Sequence, residues 1–322
     1  MPRFSVITPV YNSRSFLSRC ISSVQKQRMK DWELVIVNDG STDGSDEELK
    51  KIAAVDARIR VFHQKNQGQF AARQLGICYA TGEYILFLDS DDELSENCLS
   101  EIDETLQRTN ADILFFMCRV IENGVKTQRL IGSCGSDEHV LPLKNLQRRV
   151  LFSNNLNSLC TKAFRRCLFD GNDTAYNDRV IDCVGEDKIQ LLYPLLSAQK
   201  LVFTPQVWYY YHYRSSSTMH RYDVNKIPRM IAEDMFAVIR EYMKYTGLSE
   251  QQDTEALDVY YLRNCLSVYF STRKSCHMLS EYFKFRHYPW KLNLQLSILH
   301  YFCSSKLSMK EKTKIVIMKL RL

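Results

Sequence analysis

The sequence has no apolar run long enough to cross a membrane. The longest, Ile113 to Cys118 and Tyr84 to Leu88, fall far short of the roughly 18 to 20 residues a spanning helix needs. The N-terminus does not read as a secretory leader, because Met1-Pro2-Arg3 leads directly into a short β-like run, and the expectation is a chain that stays in the cytosol. Paired cysteines are lacking too: the 11 cysteines are scattered with no C-x-x-C spacing, which argues against a disulfide framework and a zinc ribbon. Cys20, Cys78 and Cys118 sit among apolar neighbours and read as reduced thiols in or near the core. The first predicted turn, Thr8-Pro9-Val10-Tyr11-Asn12-Ser13, contains no glycine, and no P-loop follows. A dinucleotide-binding or P-loop grip on phosphate is therefore excluded, because both need backbone free to approach the anion. No internal repeat is found.

What is present is a globular composition, with 45% hydrophobic and 25% charged residues in 322, enough for one large domain or a domain with an appendage. Charge is unevenly placed. The net value is +6, yet residues 263 to 322 alone carry +10, with Glu281 and Glu311 their only acids, so the remainder is acidic at −4. Lys306, Lys310, Lys312, Lys314, Lys319 and Arg321 alternate there with Leu307, Ile315, Val316 and Met318, a composition suited to a helix lying on anionic lipid. A docked helix with a solvated lysine face is the plainer alternative. Nucleic acid is not an expected partner, since no recognised RNA or DNA module accompanies the charge.

Strand and helix signals alternate through the first 90 residues. Phe4 to Thr8, Leu34 to Val37, Ile59 to Phe62 and Tyr84 to Leu88 read as strands. Between them lie helical patterns after Ser13, over Gly44 to Ala54, and over Gln67 to Tyr79 with Ala71, Ala72, Leu75 and Cys78 facing inward. This series predicts a doubly wound, mostly parallel sheet. A helix over Asn97 to Gln107, a strand over Asp112 to Val120 and an irregular stretch through Asp137 follow. A helix opening at Gly185-Glu186-Asp187 and strands over Leu201 to Phe203 and Val207 to Tyr211 come next. From about Asn225 the pattern is helical, with runs at Met230 to Tyr245, Ala256 to Tyr269 and Leu292 to Phe302. The predicted division is a catalytic α/β domain over 1–220 and a basic helical appendage over 221–322.

Ligands of such sheets bind beyond the carboxyl ends of the strands, and polar or acidic residues follow several of these ends. Asp89-Ser90-Asp91-Asp92 is the most informative group. Carboxylates at i and i+2 after a buried strand can turn toward one hard cation, which prefers oxygen ligands. Their alternative is the first turn of a helix, where acids favour the macrodipole, and Asp92 and Glu93 read that way. A paired-carboxylate sheet also suits a nucleotidyltransferase, but the glycine-rich basic loop of that class is missing. A non-catalytic nucleotide-sugar-binding protein is the other alternative.

Ser5-Val6-Ile7-Thr8-Pro9-Val10-Tyr11-Asn12, Glu33 to Ser45, Asn66-Gln67-Gly68 with Ala72-Arg73, Gly82-Glu83-Tyr84, Asp89 to Asp92, Gly185-Glu186-Asp187 and Tyr211-His212-Tyr213-Arg214 together resemble the bacterial family 2 glycosyltransferases of the GT-A fold. The likeness implies that Thr8, Pro9 and Tyr11 border a nucleobase and that Asp39 accepts a hydrogen bond from uracil. Arg73 would lie near the diphosphate and Asp89 at the ribose or metal shell, with Ser90 counted among the donor-binding residues. Asp91 would be the direct ligand of Mn²⁺ or Mg²⁺, and either His212 or Arg214 the cation that closes over the diphosphate. An inverting transfer needs a carboxylate on the side of the sugar opposite the diphosphate, so Asp187, from a remote segment, is the expected general base, with Glu186 its rival. The expected reaction moves one hexosyl or N-acetylhexosaminyl group from a UDP-sugar to a hydroxyl of a lipid-linked glycan, in surface polysaccharide or lipopolysaccharide synthesis. The expected location is cytoplasmic, peripheral on the inner face of the membrane. Two departures stand out: Gln74 replaces the family's usual asparagine, and 121–157 matches no familiar pattern, although acceptor specificity commonly resides there.

Overall fold

The computed structural model describes residues 1–153, 156–170, 186–214 and 233–248, with isolated positions between 250 and 260 and Ser308. The order is β1 (Phe4–Val10), α1 (Arg14–Gln25), β2 (Trp32–Asp39), α2 (Ser45–Ala53), β3 (Ile59–Gln64), α3 (Gln69–Tyr79), β4 (Tyr84–Phe87) and β5 (Glu93–Leu94). It continues with α4 (Cys98–Thr109), β6 (Ile113–Glu122), β7 (Val125–Ile131), β8 (His139–Val140), α5 (Leu143–Phe152), β9 (Lys162–Arg165), α6 (Glu186–Ser197), β10 (Leu201–Tyr213) and α7 (Glu233–Thr246).

The strands form one ten-stranded sheet in the order β3-β2-β1-β4-β9-β6-β10-β5, with β7 on β6 and β8 on β10. β1, β2, β3 and β4 are mutually parallel, β6 runs parallel to β10, and β9 is antiparallel to both β4 and β6. Six strands therefore point one way, and their carboxyl ends share one edge. β1 and β2 are buried at every position, as continuous apolar runs in the middle of a parallel sheet must be. The chain passes from β3 to β4 across β1, so the order reverses between β1 and β4. That is where a doubly wound sheet opens a crevice for ligand.

α3 rests on this sheet by a different face from the expected one. Ala72 is buried as expected, but its buried companions are Phe70, Arg73 and Gly76, whereas Cys78 is exposed. Gly76 is the reason: a Cβ there would stand 2.4 Å from Cγ2 of Ile7 in β1, so only glycine lets the helix come this close. The irregular stretch expected after the Ile113 strand is instead a hairpin, in which β7 pairs antiparallel with β6. Asn123 and Gly124 at its turn have φ of 51° and 78°, the left-handed pair that a two-residue hairpin loop requires. The two predicted strands after Leu201 are one, β10, irregular between Phe203 and Val207, where Pro205 has no N–H to give the ladder. Within 121–157 the fold also contains α5.

The chain divides into two compact units, the first made of Met1–Val150, Asn154–Asp182 and Glu186–Arg214, the second of Leu151–Ser153, Cys183–Gly185 and Ser215–Leu322. α7 belongs to the second and overlaps the run predicted from Met230. The runs predicted at Leu292 to Phe302 and over the basic end lie outside the described residues, as does most of Ala256 to Tyr269. Among the described residues no helix is long and apolar enough to cross a membrane.

Glu33 ties the sheet together at the end opposite the crevice. Its carboxylate accepts hydrogen bonds from Ser5 Oγ at 2.6 Å, Thr81 N at 2.6 Å, Thr81 Oγ1 at 2.8 Å and Arg60 at 2.8 Å. Burial works to raise its pKa, but these donors outweigh it and hold the carboxyl below its ordinary value. A depressed pKa gives stability that is complete above the unfolded-state pKa of about 4.3 and disappears as pH falls through the folded one. Glu33→Gln is expected to cost about 2 kcal/mol at pH 7. Its stability should also fall less than that of the wild type as pH drops below about 4.3. Urea unfolding from pH 7 to pH 3 measures both; parallel pH curves for the two proteins would refute the assignment.

Candidate active site

The ends of β1 and β2 form one wall. Thr8 is fully buried, and its hydroxyl finds no hydrogen-bond partner among the described residues. Pro9 lies beside Val37 in the parallel ladder, and Tyr11 just beyond is 50% exposed. Asp39 is buried at the tip of β2. Its carboxylate accepts from Gln64 Nε2 at 2.7 Å and from the main-chain N–H groups of Gln67 and Gly68, both at 2.9 Å. It thereby orders the turn into α3 while retaining acceptor capacity, since a carboxylate has about four lone-pair sites. A polar cleft of about 340 Å³ opens beside it, lined by Asn38, Gly40, Ser41, His63 and Gln64 among others. The cleft contains none of the carboxylates that follow β4.

Those carboxylates sit on a loop fixed from three sides. Ser90 turns inward and donates to Ser13 Oγ at 2.7 Å, and Ser13 donates to the Tyr11 carbonyl at 3.2 Å, so Ser90 joins two loops rather than facing the crevice. Asp92 accepts from the Tyr209 hydroxyl at 2.7 Å and from His212 N at 2.8 Å. Burial, reinforced by the nearby charge of Asp89, pushes its pKa up to about 8. Asp92 and Glu93 therefore do not open a helix: Glu93 enters β5, and α4 begins only at Cys98. The reason is that β5 pairs antiparallel with Tyr209 and Tyr210 of β10, which draws the acidic loop onto that strand. The Tyr209 hydroxyl is buried beneath the loop and also accepts from Asp89 N at 3.2 Å.

Asp89 and Asp91 remain partly exposed, and each meets an arginine. Asp89 Oδ1 accepts from Gln69 Nε2 at 2.7 Å and pairs with Arg73 at 3.1 Å. Arg73 is 1% exposed and pairs through its other terminal nitrogen with Asp187 at 2.5 Å. Burial opposes its charge, but Asp187 and Asp89 outweigh the burial and raise the pKa of the guanidinium above its ordinary value. One buried cation thus brings together carboxylates 98 positions apart in sequence. Gln190, one turn along α6 from Asp187, supports the junction: its side-chain oxygen stands 3.4 Å from Arg73, and its amide donates to the Phe70 carbonyl at 3.1 Å. Glu186 is the first residue of α6, half-buried beside Asp187.

At the end of β10 the two candidate cations separate. His212 contacts Glu93 through Nε2 at 2.8 Å. Arg214 is ion-paired with the Asp91 carboxylate and stacks over the Phe16 ring, 4.1 Å from its centroid. Arg19, three residues along α1 from Phe16, donates to the Asp91 carbonyl at 2.6 Å. The sequence gives no sign that Phe16, Arg19, Gln190 and Tyr209 belong to the site. Their spacing is what any amphipathic helix or half-buried strand would have, and only the partners they meet mark them. Cys20, Cys98 and Cys160 are buried, and burial raises their thiols well above the ordinary value, so none is an activated nucleophile.

A mostly parallel sheet with acidic residues gathered beyond its carboxyl ends defines a GT-A fold, and comparison with solved structures agrees. S. aureus TarS 1-349 superposes with a TM-score of 0.60 at 21% identity, over 99% of this chain and 79% of TarS 1-349. The same protein in complex with UDP-GlcNAc gives 0.57 over 84% and 81%. The family profile described as Glycosyl transferase family 2 matches residues 5–171, more than half of the sequence, and the chain belongs to that family. Glycosyltransferase GlyG of Streptococcus pneumoniae is 40% identical over 111 residues, 34% of this chain and 37% of GlyG. EpsH of Bacillus subtilis is 27% identical over 256 residues, 79% of this chain and 74% of EpsH. The match to GlyG thus spans little more than a third of that protein's length.

Proposed function

We propose that the protein transfers one hexosyl or N-acetylhexosaminyl unit from a UDP-sugar to an acceptor hydroxyl, with inversion at the anomeric carbon. The observation that carries this reading is the convergence of Asp89 and Asp187 on buried Arg73, because donor-side acid and candidate base then share one crevice. The unpartnered hydroxyl of Thr8 in β1 and the spare acceptor capacity of Asp39 at the tip of β2 suit a polar nucleobase edge, and the TarS complexes with UDP and UDP-GlcNAc favour a uridine donor.

Asp91 and Asp89 are the groups that would hold Mn²⁺ or Mg²⁺, and their chemistry fits. Both are oxygen donors, and Asp91 already balances a cation in Arg214. Among the described residues no three acidic, histidine or cysteine side chains cluster to cage an ion unaided, so the diphosphate would have to complete the shell, as is common for Mg²⁺. When bound, the cation supplies positive charge against the departing diphosphate. Asp187 takes the proton from the acceptor hydroxyl as that oxygen attacks. Arg73 holds Asp187 and Asp89 in fixed relation, and Asp92 with Tyr209 keeps the acidic loop on β10. The test is UDP release across a panel of nucleotide sugars: release from a UDP-sugar, abolished by chelator, is expected, and failure with every UDP-sugar in metal-replete buffer would refute the reading.

The acceptor in this reading is a lipid-linked glycan of surface polysaccharide or lipopolysaccharide synthesis, and the protein works at the cytoplasmic face of the membrane. The +10 charge of residues 263 to 322 supports it, at about 1 kcal/mol of attraction per basic residue near anionic lipid. The full chain should float with phosphatidylglycerol vesicles, stay behind with phosphatidylcholine vesicles, and be released by salt. Equal flotation with both lipids would remove the electrostatic attachment.

A further inference from the structure

The expected metal ligand already carries a protein cation. Arg214 Nη2 bonds Asp91 Oδ2, and the guanidinium sits over Phe16, with Cζ 4.1 Å from the ring centroid. Its Nε is buried without a hydrogen-bond partner, and among the described residues the group is held by one ion pair and one aromatic face. The contacts of Asp91 divide sharply. Its main-chain carbonyl is fixed to α1 by Arg19 at 2.6 Å, and this bond involves no carboxylate oxygen. The backbone of Asp91 is therefore anchored independently of Arg214, and only the side chain exchanges partners.

From this arrangement we propose that Arg214 is the resident, displaceable counter-ion of Asp91, kept beside it by Phe16. A divalent cation and a nucleoside diphosphate then bind cooperatively by exchanging ion pairs. The proposal rests on the metal-dependent reading above and concerns how that site is regulated. A divalent ion arriving alone must break the Arg214 pair. It leaves two positive centres competing for one carboxylate in a partly desolvated loop, where charges are weakly screened. A diphosphate arriving with the ion removes the conflict. The guanidinium, with its fork of donors, transfers to phosphate oxygens, for which its geometry is well matched, while the ion takes Asp91. Each ligand thus lowers the cost of binding the other, and by linkage the coupling is reciprocal. Cation retention without donor is suppressed, and the same arginine that guards Asp91 becomes available to the leaving group.

Binding of Mn²⁺ to the full-length protein, followed by the electron paramagnetic resonance signal of free Mn²⁺, tests this without any turnover. In the wild type, saturating UDP should tighten Mn²⁺ about tenfold, within the usual range of coupling between sites. Arg214→Met keeps the length of the side chain and removes its charge. It should bind Mn²⁺ alone several-fold more tightly than wild type and gain much less from UDP. Arg214→Lys, which restores a cation, should return toward wild type. Asp91→Asn should bind little Mn²⁺ whatever stands at position 214. If Arg214→Met and wild type bind Mn²⁺ equally without UDP, while Asp91→Asn loses it, the counter-ion role is overturned and the metal site stands. If wild type binds no Mn²⁺ even with UDP, the metal-dependent reading fails and the exchange fails with it.

Discussion

Replacing Asp187 by asparagine is expected to lower the turnover of sugar transfer by about 10² to 10⁴-fold, the range that a positioned general base contributes, while the affinity for UDP-sugar stays within a few-fold of wild type. Asparagine keeps the shape of the carboxylate and can still accept a hydrogen bond from Arg73, so α6 should remain docked. What it cannot do is take a proton. The acceptor hydroxyl then has to lose its proton to water while it attacks, and the barrier rises by about 1.4 kcal/mol for each tenfold loss. Glu186→Gln is the control. Glu186 is adjacent in sequence and its charge also acts on Arg73, but the direct ion pairs of Arg73 are with Asp89 and Asp187, and its loss of turnover should be far smaller. Initial rates of UDP release with acceptor present, together with calorimetric donor affinity, separate the two. Turnover of Asp187→Asn within tenfold of wild type would remove Asp187 as the base.

The second large effect belongs to Asp91. Asp91→Asn should cut kcat/KM on the order of 10³-fold, because charge stabilisation by a bound cation is worth several kcal/mol in the transition state. Its residual activity should no longer respond to Mn²⁺ or to chelator. This pattern differs from that of Asp187→Asn, whose remaining activity should still require the ion. The loop itself is expected to survive, since Arg19 holds the Asp91 carbonyl and Asp92 holds β10 without help from the Asp91 side chain. Unchanged unfolding curves would confirm that the loss is chemical. An Asp91→Asn protein with near wild-type kcat/KM and intact chelator sensitivity would place the ion elsewhere.

Sequence is informative wherever a short segment decides its own conformation. The apolar runs in β1, β2 and β4 point to strands buried on both faces, as in the middle of a parallel sheet. The polar residues after them fall at strand ends, so the edge that carries the crevice is legible from residue order alone. That legibility ends where two distant segments compete. The periodicity of α3 points at Ala71, Ala72, Leu75 and Cys78, and Ala72 is buried, but the contact of Gly76 with Ile7 and the pairing of Arg73 with Asp89 and Asp187 rotate the buried face away from the other three. Helical spacing says which residues share a face, not which face a remote partner will claim. Asp92 misleads for a similar reason: an acid before a helical pattern looks like a helix start, and the pairing of β5 with β10 has no trace in local sequence.

By itself the sequence determined the α/β alternation and the edge of the sheet where acids follow the strands, because each depends on residue type and short-range spacing. Tertiary structure alone decided who holds whom. Arg73 bridges Asp89 and Asp187, Arg214 rather than His212 faces Asp91, and Tyr209 props the loop from below. Ion pairs such as Arg73 with Asp187 and Arg214 with Asp91 join segments 114 and 123 positions apart. They are set by strand order and helix docking, and a linear chain carries no local signal of either.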